Sequence, residues 1–290
     1  MSDILGWIAA GLVLGIVGAL VWWLLIASEG VYMGRRVVIW LYDLYAHRYE
    51  DVKGYMPEYE QLFLAEPLMD AIAPETAPLV LDVATGTGRL PLALARHPDF
   101  AGHTIGVDLS RRMLHHATRS VYPYDHRVTF ICCPAERLPF PDNTFDIVTC
   151  MEALEFMTSP GAVLYELARV LRPGGVLLTT QRINTRLMPG KTWSAGEMLE
   201  QLERCGIENG KAQVWQVDYR KVWGRKRGES PFGGVRPLES ILRCPHCDQQ
   251  CFRSQPDGER SSHWLCEGCG RQADAGADGV IDLTPLYRGH

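Results

Sequence analysis

The hydropathy pattern of the chain begins with an apolar segment that is long enough to cross a membrane. Residues 4–27 contain no charged side chain and carry tryptophans near both ends. A helix of this length rises through about 36 Å, which exceeds the roughly 30 Å of a hydrocarbon core. Arg35 and Arg36 follow the segment closely, and this predicts that the C-terminal domains face the cytoplasm.

The residues that flank this segment favour a permanent anchor over a cleaved signal. Asp3 is the only charged side chain ahead of it, so the basic N-terminal region of a secretory signal is missing. We interpret residues 1–30 as a single-pass anchor in the cell membrane; a buried core helix and a signal peptide are the alternatives. Gly11 and Gly15 have the G-x-x-x-G spacing that allows two membrane helices to pack as a homodimer, although glycine is common in membrane helices in general.

After the anchor, the pattern predicts helices first and then an alternation of strands and helices. Residues 31–75 form a helical lead-in, and from residue 79 onward short β-rich runs alternate with helical segments, as in βαβ units. This alternation predicts an α/β fold, with a doubly wound and mostly parallel sheet, over residues 76–225. The expected strands are 79–83, 104–108, 128–131, 145–150 and 175–180, and the expected helices are 90–96, 110–120, 160–171 and 194–205.

The last part of the chain has a different pattern. Residues 213–223 predict one further strand or a pair of strands that closes an edge of the sheet. The next stretch, 224–237, is rich in glycine, proline and basic residues and has the composition of a linker. A small module that carries regularly spaced cysteines then occupies residues 238–290.

Composition narrows the class of protein. Hydrophobic residues make up 47% of the chain and charged residues 22%, as in ordinary globular proteins, which excludes a disordered or fibrous chain. The formal net charge of -5 gives no general attraction to nucleic acid. The 9 cysteines are too few for a disulfide scaffold, and their odd number argues against complete pairing.

A glycine-rich loop follows the first predicted strand. Gly86 and Gly88 permit a tight turn and a close approach of the backbone to a ligand. A dinucleotide-binding fingerprint would need glycine or alanine at the position of Pro91, and a Walker A motif would need a G-K-[ST] sequence, so neither motif is present. Two acids accompany the loop. Asp82 would suit a ligand amino group, and Asp108, at the end of the next strand, would suit the two hydroxyls of a ribose.

Four sequence blocks in the predicted sheet domain have a recognisable order and spacing. They are VLDVATGTG from Val80, IGVDLSRRML from Ile105, AERLPFPDNTFD from Ala135 and RVLRPGG from Arg169. Together they resemble the class I S-adenosylmethionine-dependent methyltransferases, especially the ubiquinone/menaquinone C-methyltransferase branch, over about residues 76–180. The resemblance implies a Rossmann-like fold, S-adenosylmethionine as the cofactor and an enzyme that transfers a methyl group.

The family resemblance assigns cofactor contacts to individual residues. It implies that Asp82 lies near the amino group of the methionine moiety, that Asp108 holds the ribose and that Leu109 lies beside the adenine. It also implies that the backbone of the glycine-rich loop surrounds the methionine moiety. The loop residues concerned are Ala84, Thr85, Gly86, Thr87 and Gly88.

The adenine site departs from the family pattern. Family members usually carry an acid that accepts a hydrogen bond from the adenine amino group, and Pro134 stands at that position here. Proline offers neither a carboxylate nor an N–H group. The candidates for a substitute contact are the backbone N–H of Ala135 and the side chain of Glu136.

Methyl transfer requires an aligned nucleophile, and it requires a base only if that nucleophile must lose a proton. Glu152 and Glu155, which follow the fourth strand, and His47 on the lead-in are the candidates for such a base. A solvated rim or a capping role is the alternative for each of them. The tyrosines of the lead-in, Tyr42 among them, recur at near-helical spacing, which is typical of packing residues.

The C-terminal module carries two C-x-x-C pairs, Cys244 with Cys247 and Cys266 with Cys269. Their separation falls within the C-x2-C-x15–20-C-x2-C pattern of a zinc site. Four thiolates close the coordination shell, which indicates a structural rather than a catalytic zinc, and disulfides are the alternative. Cys251 and two nearby histidines are interpreted as bystanders. The module resembles the zinc ribbons that are appended to some methyltransferases and that contact RNA, a partner or only the enzyme.

Three functions remain compatible with the sequence. The first is a membrane-anchored methyltransferase that acts on a small, lipid-soluble acceptor, quinone-like or another lipid. The second is an RNA or protein methyltransferase that holds its substrate through the ribbon, although the basic cluster 225–227 is too short to indicate RNA binding by itself. The third is a catalytically inactive, membrane-tethered binding module, which the retention of Asp82, Asp108 and both glycines argues against.

Overall fold

A single mixed sheet organises the protein. The computed structural model describes residues 2–46, 56–183, 188–190, 192–256 and 262–287. Within these residues the strands are β1 Leu79–Val83, β2 His103–Asp108, β3 Val128–Cys132, β4 Phe145–Cys150, β5 Leu171–Arg182, β6 Ile207–Val214, β7 Tyr219–Lys226, β8 Phe252–Pro256, β9 Ser262–Cys266, β10 Gln272–Ala275 and β11 Ile281–Asp282. Their order across the sheet is β6-β7-β5-β4-β1-β2-β3-β11-β10-β9-β8.

Helices precede the sheet and connect its strands. They are α1 Ser2–Trp22 with its π-helical continuation Trp23–Ala27, α2 Arg35–Tyr45, α3 (the consecutive segments Pro57–Glu60, Gln61–Ala65 and Glu66–Ile72), α4 Arg89–Arg96, α5 Arg111–Ser120, α6 Pro160–Val170 and α7 Ala195–Arg204. Short 3-10 helices occupy Tyr122–Arg127, Leu154–Phe156, Leu238–Ser240 and Thr284–Tyr287. Side chains fix some of the helix starts, because the Ser110 hydroxyl accepts from the Met113 N–H and Ser194 forms a capping box with Glu197.

The predicted α/β fold is confirmed, with a mostly parallel sheet between helices. The five central strands, in the order β3, β2, β1, β4 and β5, are parallel to one another, and β7 pairs with β5 in antiparallel orientation. The four predicted helices are present, three of them between these strands and the fourth after β5, with ends that differ by one residue at most. The predicted strand pair is also present, as antiparallel β6 and β7 at the sheet edge, and it extends to Lys226, into the segment expected to be a linker.

The central strands are buried on both faces of the sheet, as expected for parallel strands covered by helices. In β1 every residue from Leu79 to Val83 is buried. Leu81 and Val83 pack in the larger core cluster together with residues of α6 and α7, whereas Val80 packs on the other face with residues of α3 and α4. Burial of a leucine side chain such as that of Leu81 contributes roughly 1.5–3 kcal/mol, so packing on both faces stabilises the centre of the sheet.

The cysteine-bearing module continues the main sheet. Ile281 and Asp282 of β11 pair in parallel with Ile131 and Cys132 of β3, and β10, β9 and β8 follow in antiparallel order. β3 would otherwise leave its backbone N–H and C=O groups unpaired at an open edge. The sequence indicated an appended module, and the structure adds that this module closes the β3 edge.

A charged cluster beside β11 strengthens the junction. Asp278 accepts hydrogen bonds from both terminal nitrogens of Arg111, each at 2.7 Å, and from His115 Nδ1 at 3.0 Å. Partial burial acts to raise the pKa of Asp278, but the bonds from Arg111 and His115 outweigh it and hold the pKa well below its usual range. Both donors belong to α5, the helix that begins just after Asp108, so the module and the predicted ribose site share one helix.

The N-terminal helix is joined to the domain at its C-terminal end. Residues 4–27 are long and apolar enough to cross a membrane by length and composition, and none of that window is buried. Near the C-terminal end of this segment, the ring of Trp23 stacks on Tyr32 with centroids 5.0 Å apart. The Tyr32 hydroxyl donates to the Pro189 carbonyl at 2.7 Å. Glu29 accepts from the Tyr42 hydroxyl at 3.0 Å and pairs with Arg182, the last residue of β5, at 3.7 Å.

Candidate functional site

Two adjoining cavities lie at the carboxyl edge of the parallel strands, where ligands bind in open α/β sheets. The larger has a volume of about 140 Å³ and the smaller about 50 Å³. They share a wall formed by Ala84, Gly86, Met151 and Glu152. Asp82, Thr85 and Thr87 line the smaller cavity, whereas Asp108, Leu109, Ala135 and Glu136 line the larger one. Of the residues predicted to bind cofactor, all except Gly88 therefore line one of the two.

The glycine-rich loop connects β1 to α4 through three residues with positive φ. The φ angles are +56° at Ala84, +55° at Gly86 and +79° at Gly88. A Cβ at Gly88 would lie 3.1 Å from the Ala117 Cβ and 3.2 Å from the Phe130 ring. Gly88 thus permits close packing of the loop against the core, while Gly86 is exposed to both cavities.

Asp82 is a buried carboxyl held by two hydroxyl groups. Its side chain accepts from Thr85 Oγ1 and from Thr149 Oγ1, each at 2.6 Å. Burial raises the pKa of Asp82 to about 6, because the ionised form loses its hydration, and the two hydroxyl donors only partly offset this effect. The site therefore holds a carboxyl whose charge responds to pH near neutrality.

Asp108 is oriented by backbone N–H groups on both sides. Its Oδ2 accepts from the Gly86 N–H at 2.9 Å and its Oδ1 accepts from the Ser110 N–H at 2.8 Å. Burial raises the pKa of Asp108, and the two backbone donors act in the opposite direction. These bonds join the glycine-rich loop to the end of β2 and fix the carboxylate at the wall of the larger cavity.

Arg89 is a site residue that sequence reasoning missed. Its guanidinium donates to Glu60 and, at 2.7 Å, to Glu152, and it lies 5.0 Å from the centre of the Trp215 ring. Arg89 lines the smaller cavity. The signal available in the sequence was its position directly after Gly88, at the first residue of α4.

The charges around the cavities are predominantly negative. Five carboxyl groups pair with Arg89 or line the cavities: those of Glu60, Asp82, Asp108, Glu136 and Glu152. Arg35 adds a second cation at the wall of the larger cavity, but it is paired with Glu136 at 3.5 Å. This arrangement favours a ligand that carries positive charge.

Helix α2 forms the apolar wall of the larger cavity. Arg35, Val38, Ile39 and Tyr42 follow the i, i+3, i+4, i+7 pattern of one helical face and all line this cavity. The Tyr42 ring meets Phe156, also a lining residue, edge-on with centroids 5.8 Å apart. The sequence assigned Tyr42 to packing; the structure places it in the cavity wall as well, because α2 lies across the carboxyl edge. Further apolar lining residues are Val107, Met113, Cys133, Met151, Ala153 and Met157.

The candidate bases occupy different positions. Glu152 lines both cavities, has a positive φ of 51° and donates its N–H to Thr180 Oγ1 at 2.6 Å. Glu155 lines neither of them; it is buried, and it accepts from the Tyr219 hydroxyl at 2.5 Å. Burial raises the pKa of Glu155. His47 lies outside the described residues. Of the two candidate bases that the structure describes, Glu152 borders both cavities and Glu155 borders neither.

The four predicted zinc ligands come together in the C-terminal module. The sulfur atoms of Cys244, Cys247, Cys266 and Cys269 all lie within 4.8 Å of one another. Cys244 Sγ is 3.8 Å from Cys269 Sγ, and Cys247 Sγ is 3.5 Å from Cys266 Sγ. A tetrahedral zinc with bonds of about 2.3 Å would place its sulfurs about 3.8 Å apart, so this donor set fits the metal. Cys251 Sγ lies beside the cluster, 3.4 Å from Cys266 Sγ.

Comparison with known proteins agrees with this geometry. Residues 81–179 match a protein-family model described as a methyltransferase domain. The chain therefore carries a methyltransferase domain over these residues. The methyltransferase domain includes the glycine-rich loop, Asp82, Asp108 and Glu152. It ends within β5, so α2, α3 and the cysteine-bearing module lie outside the matched region.

Curated relatives match about a third of this chain and less than half of their own length. A ubiquinone/menaquinone biosynthesis C-methyltransferase of Geobacter sulfurreducens is 42% identical over 98 residues, which are 33% of this chain and 38% of that protein. A demethylmenaquinone methyltransferase of Symbiobacterium thermophilum is 46% identical over 98 residues, 33% of this chain and 39% of that protein. The chain thus spans about two fifths of the length of these relatives.

Solved structures share the fold of the methyltransferase domain. One is a chain from the complex of the Haloferax volcanii Trm112 methyltransferase activator with a protein described as a methyltransferase; it has a TM-score of 0.54 and 20% identity, over 65% of this chain and 97% of that one. Another is a Methanococcus maripaludis protein described as an S-adenosyl-L-methionine-dependent methyltransferase, with a TM-score of 0.52 and 17% identity over 65% of this chain and 95% of that one. At these identities the likeness concerns the fold.

Asp82 should make the stability of the protein depend on pH. Its folded-state pKa of about 6 exceeds the unfolded value of 3.8, so the folded state binds more protons between these values and stability falls as pH rises through this window. The Asp82→Asn side chain does not titrate. Between pH 4 and pH 7, the free energy of unfolding should therefore fall by about 2–3 kcal/mol more in the parent than in this variant. Urea unfolding of the detergent-solubilised chain from pH 4 to 7 measures this difference. The exposed Asp125→Asn serves as the control, and parallel curves for Asp82→Asn and the parent would contradict the assignment.

The cysteine cluster should bind one zinc ion per chain. Cys244→Ser should lose the metal, and amide exchange in β3 should become faster because β11 is no longer held against it. Cys251→Ser is the matched control and should keep the zinc. Elemental analysis of reduced protein, combined with hydrogen exchange, measures both effects. Retention of zinc by Cys244→Ser, or its loss from Cys251→Ser, would show that the ligand set is different.

Proposed function

We propose that this chain is a membrane-anchored, S-adenosylmethionine-dependent methyltransferase that acts on a small, lipid-soluble acceptor, quinone-like or another lipid. One observation supports this best: a single helix, α2, both follows the apolar N-terminal helix and forms the apolar wall of the cavity in which the methyltransferase domain would bind its ligands. The acceptor class is supported by the names of two relatives, a ubiquinone/menaquinone biosynthesis C-methyltransferase and a demethylmenaquinone methyltransferase.

The cavity residues suit the proposed cofactor. In this proposal the smaller cavity, with Asp82 and the loop residues 84–87, takes the methionine moiety and its ammonium group. Asp108 takes the ribose hydroxyls, since its carboxylate is fixed by two N–H donors and still borders the larger cavity. The negative surroundings favour the sulfonium cation of S-adenosylmethionine, which supplies an activated methyl group when it is bound. Ala135 and Glu136 line the part of the cavity assigned to adenine.

The chain contributes alignment, exclusion of water and one candidate base. Apolar side chains from α2 and from the segment 151–157 enclose the larger cavity and keep water from the acceptor. Glu152 lies where the two cavities meet, and a 2.7 Å hydrogen bond from Arg89 holds its carboxylate in place. We assign to Glu152 the removal of a proton from an acceptor that must lose one, as a carbon acceptor does. Glu155, held away from the cavities by Tyr219, is assigned a structural role.

The ribbon is proposed to be structural. Its four thiolates would hold zinc in a closed shell, which leaves no open coordination position for a substrate. The module covers the β3 edge and anchors α5 through Asp278. These contacts support a role in stabilising the ribose side of the cofactor site, and no described contact of the module favours RNA or protein as the acceptor.

Asp108 should determine cofactor affinity. Asp108→Ala removes a charged acceptor of ribose hydroxyls, and loss of one charged hydrogen bond of about 1.5–3 kcal/mol weakens binding of S-adenosylmethionine by about 10- to 150-fold. Isothermal titration calorimetry on the detergent-solubilised chain measures the dissociation constant. Asp125→Ala, at an exposed position, should bind as tightly as the parent. Unchanged affinity in folded Asp108→Ala would refute the cofactor assignment.

The acceptor class can be tested with labelled methyl groups. Membranes that contain the full chain, incubated with methyl-labelled S-adenosylmethionine, should transfer label to the lipid extract. Deletion of residues 2–27 should strongly reduce this transfer while calorimetry still shows cofactor binding, because a lipid acceptor is concentrated in the bilayer. Label found only in RNA or protein would contradict the proposal, as would equal lipid methylation by the truncated chain.

A further inference from the structure

Nine large apolar side chains are exposed on the elements that surround the cavities. We call this set the apolar rim. Its members lie on or beside α2, on the first turns of α3 and in the hairpin between β6 and β7. The residues are Met33, Trp40, Leu44, Met56, Tyr59, Leu62, Phe63, Val214 and Val217.

The rim residues of the two helices form regular outward faces. On α2, Arg36, Trp40 and Leu44 are four residues apart and exposed, whereas Val38 and Leu41 are buried. Trp40 is 57% exposed. A face that combines arginine, tryptophan and leucine is typical of helices that lie at a membrane interface.

The first turns of α3 show the same division. Tyr59, Leu62 and Phe63 are exposed, and Leu64 and Ala65 are fully buried. The Tyr59 and Phe63 rings are in contact, with centroids 5.3 Å apart. The exposed apolar residues therefore form a continuous strip along this helix.

All three parts of the rim lie at the carboxyl edge of the sheet. Glu60 of α3 pairs with Arg89 at the start of α4, which places the first turns of α3 beside the smaller cavity. The β6–β7 hairpin turns at the end of β5, because Tyr219 pairs with Arg182. Its tip carries Val217, which is 93% exposed. The Lys221 ammonium donates to the Phe63 carbonyl at 2.7 Å, so the hairpin and α3 are in contact.

The N-terminal helix leaves the domain at this same edge. Glu29 reaches Arg182 at the end of β5, and Tyr32 donates to Pro189 in the loop that follows. If residues 4–27 cross a bilayer, the membrane surface lies within a few residues of these contacts. The rim is then the part of the domain that faces the lipid.

We propose that the apolar rim is a second membrane-contact surface, and that its partner is the lipid bilayer in which the N-terminal helix is embedded. The inference rests on the anchor in the proposed function. Contact through α2, α3 and the hairpin would hold the cavity opening against the headgroup region. A lipid-soluble acceptor would then move from the bilayer into the cavity past α2 without crossing bulk water.

Photolabelling tests this surface directly. The full chain is reconstituted into phosphatidylcholine and phosphatidylglycerol nanodiscs that contain a lipid with a diazirine near the headgroup, and labelled peptides are identified by mass spectrometry. We expect label in the N-terminal helix, in 56–63 and in the hairpin 214–219. Tyr122 is the internal control, since it is 74% exposed but follows α5 at the opposite edge of the sheet, and it should remain unlabelled.

The possible results separate the inference from the anchor proposal. Label confined to residues 2–27 would overturn the rim as a contact surface and leave the anchor intact. Absence of label from residues 2–27 would overturn both. Label that also reaches Tyr122 would show non-specific insertion and would overturn the rim.

Charge substitutions give a second measurement. Leu62→Glu and Val217→Glu change exposed side chains that line neither cavity, so folding and S-adenosylmethionine binding should stay as in the parent. Each should reduce labelling of its own segment about tenfold, because an apolar contact with lipid is replaced by a charge. Tyr122→Glu is the matched control and should change nothing. Unaltered labelling in both rim variants would count against the proposal.

Discussion

Parallel pairing of β1 with β2 on one side and β4 on the other brings the segments that follow these strands to one edge of the sheet. Asp82 lies near the end of β1, Asp108 ends β2, and Glu152 follows β4. They are far apart in sequence, and the register of the sheet alone makes them neighbours. The cavities, the hydrogen bond from Gly86 to Asp108 and the position of α2 all depend on this edge.

The site buries several carboxyl groups close together, and their ionised forms are unfavourable in the ligand-free protein. Burial raises the pKa of both Asp82 and Asp108, so their ionised forms are disfavoured in the absence of a cation. The threonine hydroxyls, the backbone N–H groups and Arg89 reduce this penalty without removing it. A cationic ligand would offset the remaining cost of burying these ionised carboxyl groups. Binding of such a ligand would therefore stabilise the folded protein.

The segments on both sides of the methyltransferase domain make contact with it. The cysteine-bearing module adds β11 to the open edge of β3 and fixes α5 through Asp278. The segment after the apolar helix reaches the end of β5 through Glu29 and Tyr32. The first connection protects backbone hydrogen bonds at one sheet edge. The contacts of Glu29 and Tyr32 place the end of the N-terminal helix beside the carboxyl end of β5.

The sequence by itself determined the local features. The apolar periodicity predicted the strands and helices, the spacing of the glycines and acids predicted the loop at the end of β1, and the two C-x-x-C pairs predicted the thiol cluster. Each of these rests on residues close together in the chain, where backbone geometry and side-chain chemistry leave few alternatives. The four-block resemblance then led to the correct domain family.

Only the tertiary structure decided the contacts between distant segments. Arg89 bridges Glu60 and Glu152, Tyr42 joins the cavity wall, Gly88 serves packing, and the cysteine-bearing module continues the main sheet. Apart from the position of Arg89 directly after Gly88, these contacts have no local signature. Each depends on which helix faces and which sheet edge remain to be covered once the core has packed. The sequence contains the residues for these contacts, but the packing of the three core clusters of the described residues selects the partners.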